Sequence, residues 1–99
     1  MTGKIHYHFW GPMWQHSAPG GWFFVSLPKE ISTEIRENLQ WQEEGWGRMK
    51  ASARVQDITW DTAIWFDKKK DTYLLPIKAD IRKKAKLVPE SMLSVDIYI

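Results

Sequence analysis

Three groups of residues in this 99-residue chain could do chemistry. His6 and His8 stand two apart, and on an extended strand that spacing puts both imidazoles on one face, as two ligands of one metal ion would need. A third ligand would have to come from His16 or a carboxylate, and no zinc-type spacing supplies it. No metal site is expected, and the histidines read as surface or half-buried side chains. No serine or carboxylate stands beside them in a nucleophile or general-base motif. The second group is acidic: Glu43-Glu44, and Asp61 near Ser52. Nothing around these residues argues for a raised carboxyl pKa, so they read as solvated charge. No catalytic residue is assigned, no cofactor is implied, and the expectation is a non-enzyme.

The third group is basic. Arg48, Lys50 and Arg54 share the outward phase of one alternating run, and Thr59 and Trp65 share that of the next. Cations beside an aromatic ring on a sheet are what binders of single-stranded nucleic acid use, joining phosphate contacts to base stacking. A β-ribbon reading duplex DNA would need such a face as well. The competing reading is a solvated face, with Arg48 covering Trp65 and Asp61 diagonal to Lys50 or Arg54. Only three cations are present and an acid lies among them, so the solvated face is preferred. The denser cluster of Lys68 to Lys70 with Arg82 to Lys86 reads the same way, as a solubilising surface.

Seven tryptophans are present. Trp60 is inward by alternation. Trp10, Trp14, Trp41 and Trp46 fall at strand ends or loops, where they would line a pocket or a partner interface or plug the ends of a small barrel. The plug is the preferred account.

Bulk properties narrow the partners. Fourteen basic and twelve acidic residues leave a net charge of +2, and the pI of 8.9 lies just under the value of about 9 that marks committed nucleic-acid binders. The absence of cysteine excludes disulfides, thiolate metal sites and thiol nucleophiles. No apolar run reaches the roughly 20 residues of a membrane-spanning helix. Residues Met1 to His6 show no leader pattern, and the expected compartment is the cytosol.

One domain must position these residues. Lys4 to Trp10 alternates as a strand that Gly11-Pro12 closes; a turn at Ser17-Ala18-Pro19-Gly20-Gly21 leads to a strand from Trp22 to Leu27. Pro28 opens a helix with an apolar stripe at Ile31, Ile35 and Leu39. The runs Arg48 to Val55 and Ile58 to Phe66 flank Gln56-Asp57 as a β-hairpin. Its expected pairs are Val55 with Ile58, Ala53 with Trp60, Ser52 with Asp61, Met49 with Ile64 and Arg48 with Trp65. A short strand from Tyr73 to Leu75, a helix from Ala79 to Leu87 and a last strand from Met92 to Ile99 complete the chain.

Strand, Leu-Pro, helix and Ile-Arg occur twice, at Leu27-Pro28 with Ile35-Arg36 and at Leu75-Pro76 with Ile81-Arg82. A strand–helix unit cannot bury its apolar face alone, so the echo predicts two copies about a pseudo-twofold. With Trp22-Phe23-Phe24-Val25-Ser26-Leu27-Pro28, Gly45-Trp46-Gly47-Arg48, Thr59-Trp60-Asp61-Thr62 and Tyr73-Leu74-Leu75-Pro76, the chain resembles a bacterial domain-of-unknown-function family. That family is classed beside the AbrB/MazE swapped-hairpin proteins. The resemblance implies a mainly β double-split β-barrel with two short helices, one chain supplying both halves, and no enzymatic activity. Gln56-Asp57, Asp71 and Glu90-Ser91 depart from it, lacking the glycines expected there. The expected function is a non-catalytic binding or interaction module of bacterial cytoplasm, meeting an unknown protein or small ligand through its loop tryptophans. A nucleic-acid binder is the alternative. A monomer or weak homodimer is expected, with no membrane partner.

Overall fold

The computed structural model describes residues 5–16 and 21–99. The turn expected from Ser17 lies, up to Gly20, outside the described residues, as do Met1 to Lys4 and the side chain of Trp46. Six strands form: β1 (His6–Gln15), β2 (Phe23–Ser26), β3 (Arg48–Val55), β4 (Ile58–Asp67), β5 (Thr72–Pro76) and β6 (Met92–Tyr98). Helix α1 (Lys29–Leu39) follows β2 and helix α2 (Ala79–Lys84) follows β5. The strands close into a barrel in the order β1-β2-β5-β4-β3-β6, so the protein is mainly β, as expected. Among the described residues no helix is long and apolar enough to cross a membrane.

The alternating side chains fill the barrel. Met49, Val55, Ile64, Val95 and Ile97 are fully buried, with Val25 and Leu75 between them. The β3–β4 hairpin has every predicted pair, since slipping it by one residue would turn the whole apolar set outward. Trp60 is only partly buried and packs against this core.

β1 does not stop at Gly11-Pro12. It pairs with β6 from His6 to Pro12, then with β2 from Met13 to Gln15. The proline sits where the strand changes neighbours, a place where a missing N–H is tolerated. Trp10 therefore lies within a strand, and Trp14 one residue from its end.

α2 ends at Lys84, short of the predicted Leu87. Lys86 turns left-handed at φ 53; its N–H reaches the Lys83 carbonyl and the Leu87 N–H that of Arg82. These are the two bonds of a Schellman ending. Among the described residues the other non-glycine positions with positive φ are Gln56, Asp71 and Glu90, the three places where the resemblance leads one to expect glycine. Gln56, Lys86 and Glu90 are exposed, so only the backbone is under strain. Replacing each by glycine is expected to stabilise the fold by about 0.5–1 kcal/mol, the relieved left-handed penalty exceeding glycine's extra unfolded entropy. Thermal melting of the single and triple variants checks this, and the gains should add.

The doubled unit is present but offset from its Leu-Pro echo. β2 and β5 lie antiparallel with Val25 opposite Leu75. Leu27 N–H bonds the Tyr73 carbonyl, and Ile77 N–H bonds that of Phe23. The residues preceding the helices are Pro28 and Lys78. These correspondences share one offset of 50 positions (27 to 77, 28 to 78), two more than the echo of Leu27 with Leu75. Leu75-Pro76 belongs to the strand, and Ile77-Lys78 takes the place of Leu27-Pro28.

Candidate functional site

The antiparallel β2–β5 contact brings together residues that lie far apart in the chain. Continuing its register past Phe24 opposite Pro76 sets Trp22 against Lys78. Across β5, Trp65 of β4 pairs with Leu74 and, on its other side, with Arg48 of β3. The outer face of β2, β5, β4 and β3 thus carries an open groove of about 520 Å³, lined among others by Trp22, Trp65, Arg48, Lys50, Lys78 and Pro76. Ala51, Thr62 and Ala63 also line it, small side chains that leave the groove shallow. Trp22 is 66% exposed and Trp65 38%. The only acid in the lining is Asp61, and its carboxylate accepts a hydrogen bond from Ser52 Oγ at 2.9 Å.

Of the sequence-predicted site residues, Arg48, Lys50 and Trp65 share this groove and Arg54 does not line it. The Arg48 guanidinium stands 5.9 Å from the Trp65 ring centroid and donates through Nη1 to Glu44 Oε1. Lys50 Nζ lies 3.8 Å from the same carboxylate. Arg54 turns to Asp57 at 3.6 Å and to the Gln56 carbonyl at 3.2 Å. Asp61 lies diagonal to Lys50 and Arg54, as expected, while the ion pairs of these cations go to Glu44 and Asp57. Among the described residues Lys78 has no ion-pair partner.

Of the tryptophans expected at strand ends and loops, Trp10, Trp14 and Trp41 do not plug the barrel. Trp10 is 61% exposed on the outside of β1, and Trp41 is 78% exposed in the turn after α1. Trp14 is half-buried; its Nε1 donates to Ser26 Oγ at 2.9 Å, and Lys70 Nζ sits 3.7 Å from its ring centroid. Arg82 lies over Phe23 at 4.1 Å and donates to the Ile77 carbonyl at 2.8 Å. The second basic cluster is in this way partly drawn onto aromatic rings.

Glu43 also departs from the expected solvated charge. Its side chain is only 12% exposed, 4.0 Å from Arg36, and its Oε2 accepts the Tyr73 hydroxyl. Arg36 lies 3.7 Å over the Phe66 ring, which meets Tyr73 edge-on at 5.1 Å. Gly47 backs onto this cluster at φ 74, where an added Cβ would stand 3.1 Å from Phe66 Cβ. Burial, then the bond to Glu43 and its charge, raise the Tyr73 phenol well above its ordinary value, against a lowering by Arg36. Tyr73 and Arg36 belong to the repeated strand–helix signatures, but nothing local in the sequence links them to Glu43, because only folding brings the three together.

The histidines are engaged across the β1–β6 pair. His6 Nε2 is 2.7 Å from Asp96 Oδ1 with its ring stacked on Tyr98 at 4.6 Å, and His8 Nε2 is 2.9 Å from Ser94 Oγ. Among the described residues no three His, Cys, Asp or Glu gather to hold a metal ion.

Residues 9–97 match the family described as a domain of unknown function, DUF1905. The chain belongs to that family. No curated protein matches it. The DUF1905 match takes in both strand–helix units and every lining residue of the groove, so the groove lies within the family domain.

Proposed function

We propose that this domain is a non-catalytic binding module of the bacterial cytoplasm and that its ligand is single-stranded nucleic acid, held in the groove between Trp22 and Trp65. The observation that carries this is the joining of two exposed indoles with Arg48, Lys50 and Lys78 on one shallow face. Indoles supply flat surfaces for bases, and the cations take phosphates. The bacterial and cytoplasmic placing rests on the resemblance. Kinship with the AbrB/MazE swapped-hairpin proteins would favour duplex DNA, but three cations on a shallow face suit a splayed strand better than a groove-filling ribbon.

Titrating a six-nucleotide thymidylate at about 50 mM salt and above, read by tryptophan fluorescence, tests the proposal. Three phosphate contacts predict a log–log salt slope of about −2. Trp22→Ala and Trp65→Ala should each weaken binding by about 1–3 kcal/mol, the worth of one stacked base. Absence of binding, tighter binding of duplex, or indifference to both substitutions would overturn it.

A further inference from the structure

We infer that Glu44 is the specificity-determining residue of this groove, a carboxylate outside the lining that competes with the ligand's phosphates for two of the groove's cations; the inference rests on the proposed single-strand reading. One carboxylate reaches two of the three groove cations, Arg48 through Oε1 and Lys50 through Oε2. Its position is built and not incidental. Glu44 N–H bonds the Arg48 carbonyl at 2.6 Å and Arg48 N–H returns to the Glu44 carbonyl at 3.3 Å. On the other side of the chain, the adjacent Glu43 is anchored to Tyr73 and Arg36. The two successive glutamates serve opposite purposes. Glu43 faces inward and fixes the segment; Glu44 faces outward and neutralises the groove.

A carboxylate tethered this closely competes at an effective concentration of roughly millimolar or more. A lone anion at micromolar level does not displace it. A strand also engages Lys78 and stacks on both indoles, and those contacts offset the exchange. Glu44 therefore holds small anions off while leaving the groove open to an extended polyanion.

The test compares wild type, Glu44→Gln and Glu30→Gln for binding the six-nucleotide thymidylate and thymidine monophosphate at about 50 mM salt. Glu30 lies in the first turn of α1 and, unlike Glu44, pairs with neither Arg48 nor Lys50; its replacement changes the net charge equally. Glu44→Gln is expected to bind the oligonucleotide about five- to tenfold more tightly than wild type, the worth of two partly exposed ion pairs. It should also gain measurable affinity for the mononucleotide, and Glu30→Gln should stay close to wild type. If wild type binds the oligonucleotide and Glu44→Gln matches Glu30→Gln, the role of Glu44 is overturned and the groove stands. If none of the three proteins binds, the groove reading falls and Glu44 with it.

Discussion

Leu75→Ala is expected to lower the unfolding free energy by about 3 kcal/mol, within the 2–5 kcal/mol that buried leucines lose on truncation. Leu75 is fully buried opposite Val25, itself fully buried. The β2–β5 contact joins the two strand–helix units, with the Val25–Leu75 pair at its centre. A void at its centre removes contacts from both units at once. The flanking strands are held by β1 and β4, so they have little room to collapse into the gap. With roughly 4–8 °C of melting temperature per kcal/mol in a domain of this size, a fall of about 12 °C or more follows. Lys69→Ala in the exposed loop should move stability by less than about 0.5 kcal/mol. Denaturant melts of the two variants check the contrast. A loss under about 1 kcal/mol for Leu75→Ala would mean that the two units slide together and refill the site.

What the sequence reveals of this fold depends on how far apart the partners lie. The β3–β4 hairpin is legible pair by pair, because period-two alternation on both sides of a two-residue turn leaves one register that buries Met49, Val55 and Ile64. Arg48, Lys50 and Trp65 belong to that hairpin, so half the groove is legible with it. Trp22 and Lys78 are not, since they meet only through the β2–β5 register. The Leu-Pro echo points to that pairing while misplacing it by two residues. Pro12 misleads for a related reason: a proline looks like a stop until the strand is seen to change neighbours there. The missing glycines at Gln56, Asp71 and Glu90 are informative in the opposite way, marking left-handed backbone that other residues have come to occupy. Glu43 is the clearest failure of local reading. Beside Glu44 it has the same chemistry, and only the fold of the segment between α1 and β3 sends one carboxylate inward and the other to the groove.

Tyr73→Phe is expected to cost about 2 kcal/mol at neutral pH, in the range of a hydrogen bond to a charged group. The substitution keeps the ring and its edge-on contact with Phe66, so the loss falls on the hydroxyl. Glu43 would keep only Arg36 at 4.0 Å while remaining 12% exposed. The fold raises the Tyr73 pKa above its ordinary value of 10.0, favouring the protonated phenol. Its contribution is therefore fully present below pH 10 and is lost as pH rises beyond it. Above that point the wild type should lose up to about 1.4 kcal/mol per pH unit through this group, a loss that Tyr73→Phe cannot show. Tyr7, whose pKa is raised by burial and by Glu34, titrates in both proteins and cancels. The two stability curves should therefore converge in alkali, as measured by urea melts from about pH 7 to about pH 12. A gap that stays constant over that range would assign the loss to packing and not to the phenol's bond with Glu43. The same bond holds the segment that carries Glu44, so its loss should also loosen the carboxylate facing the groove.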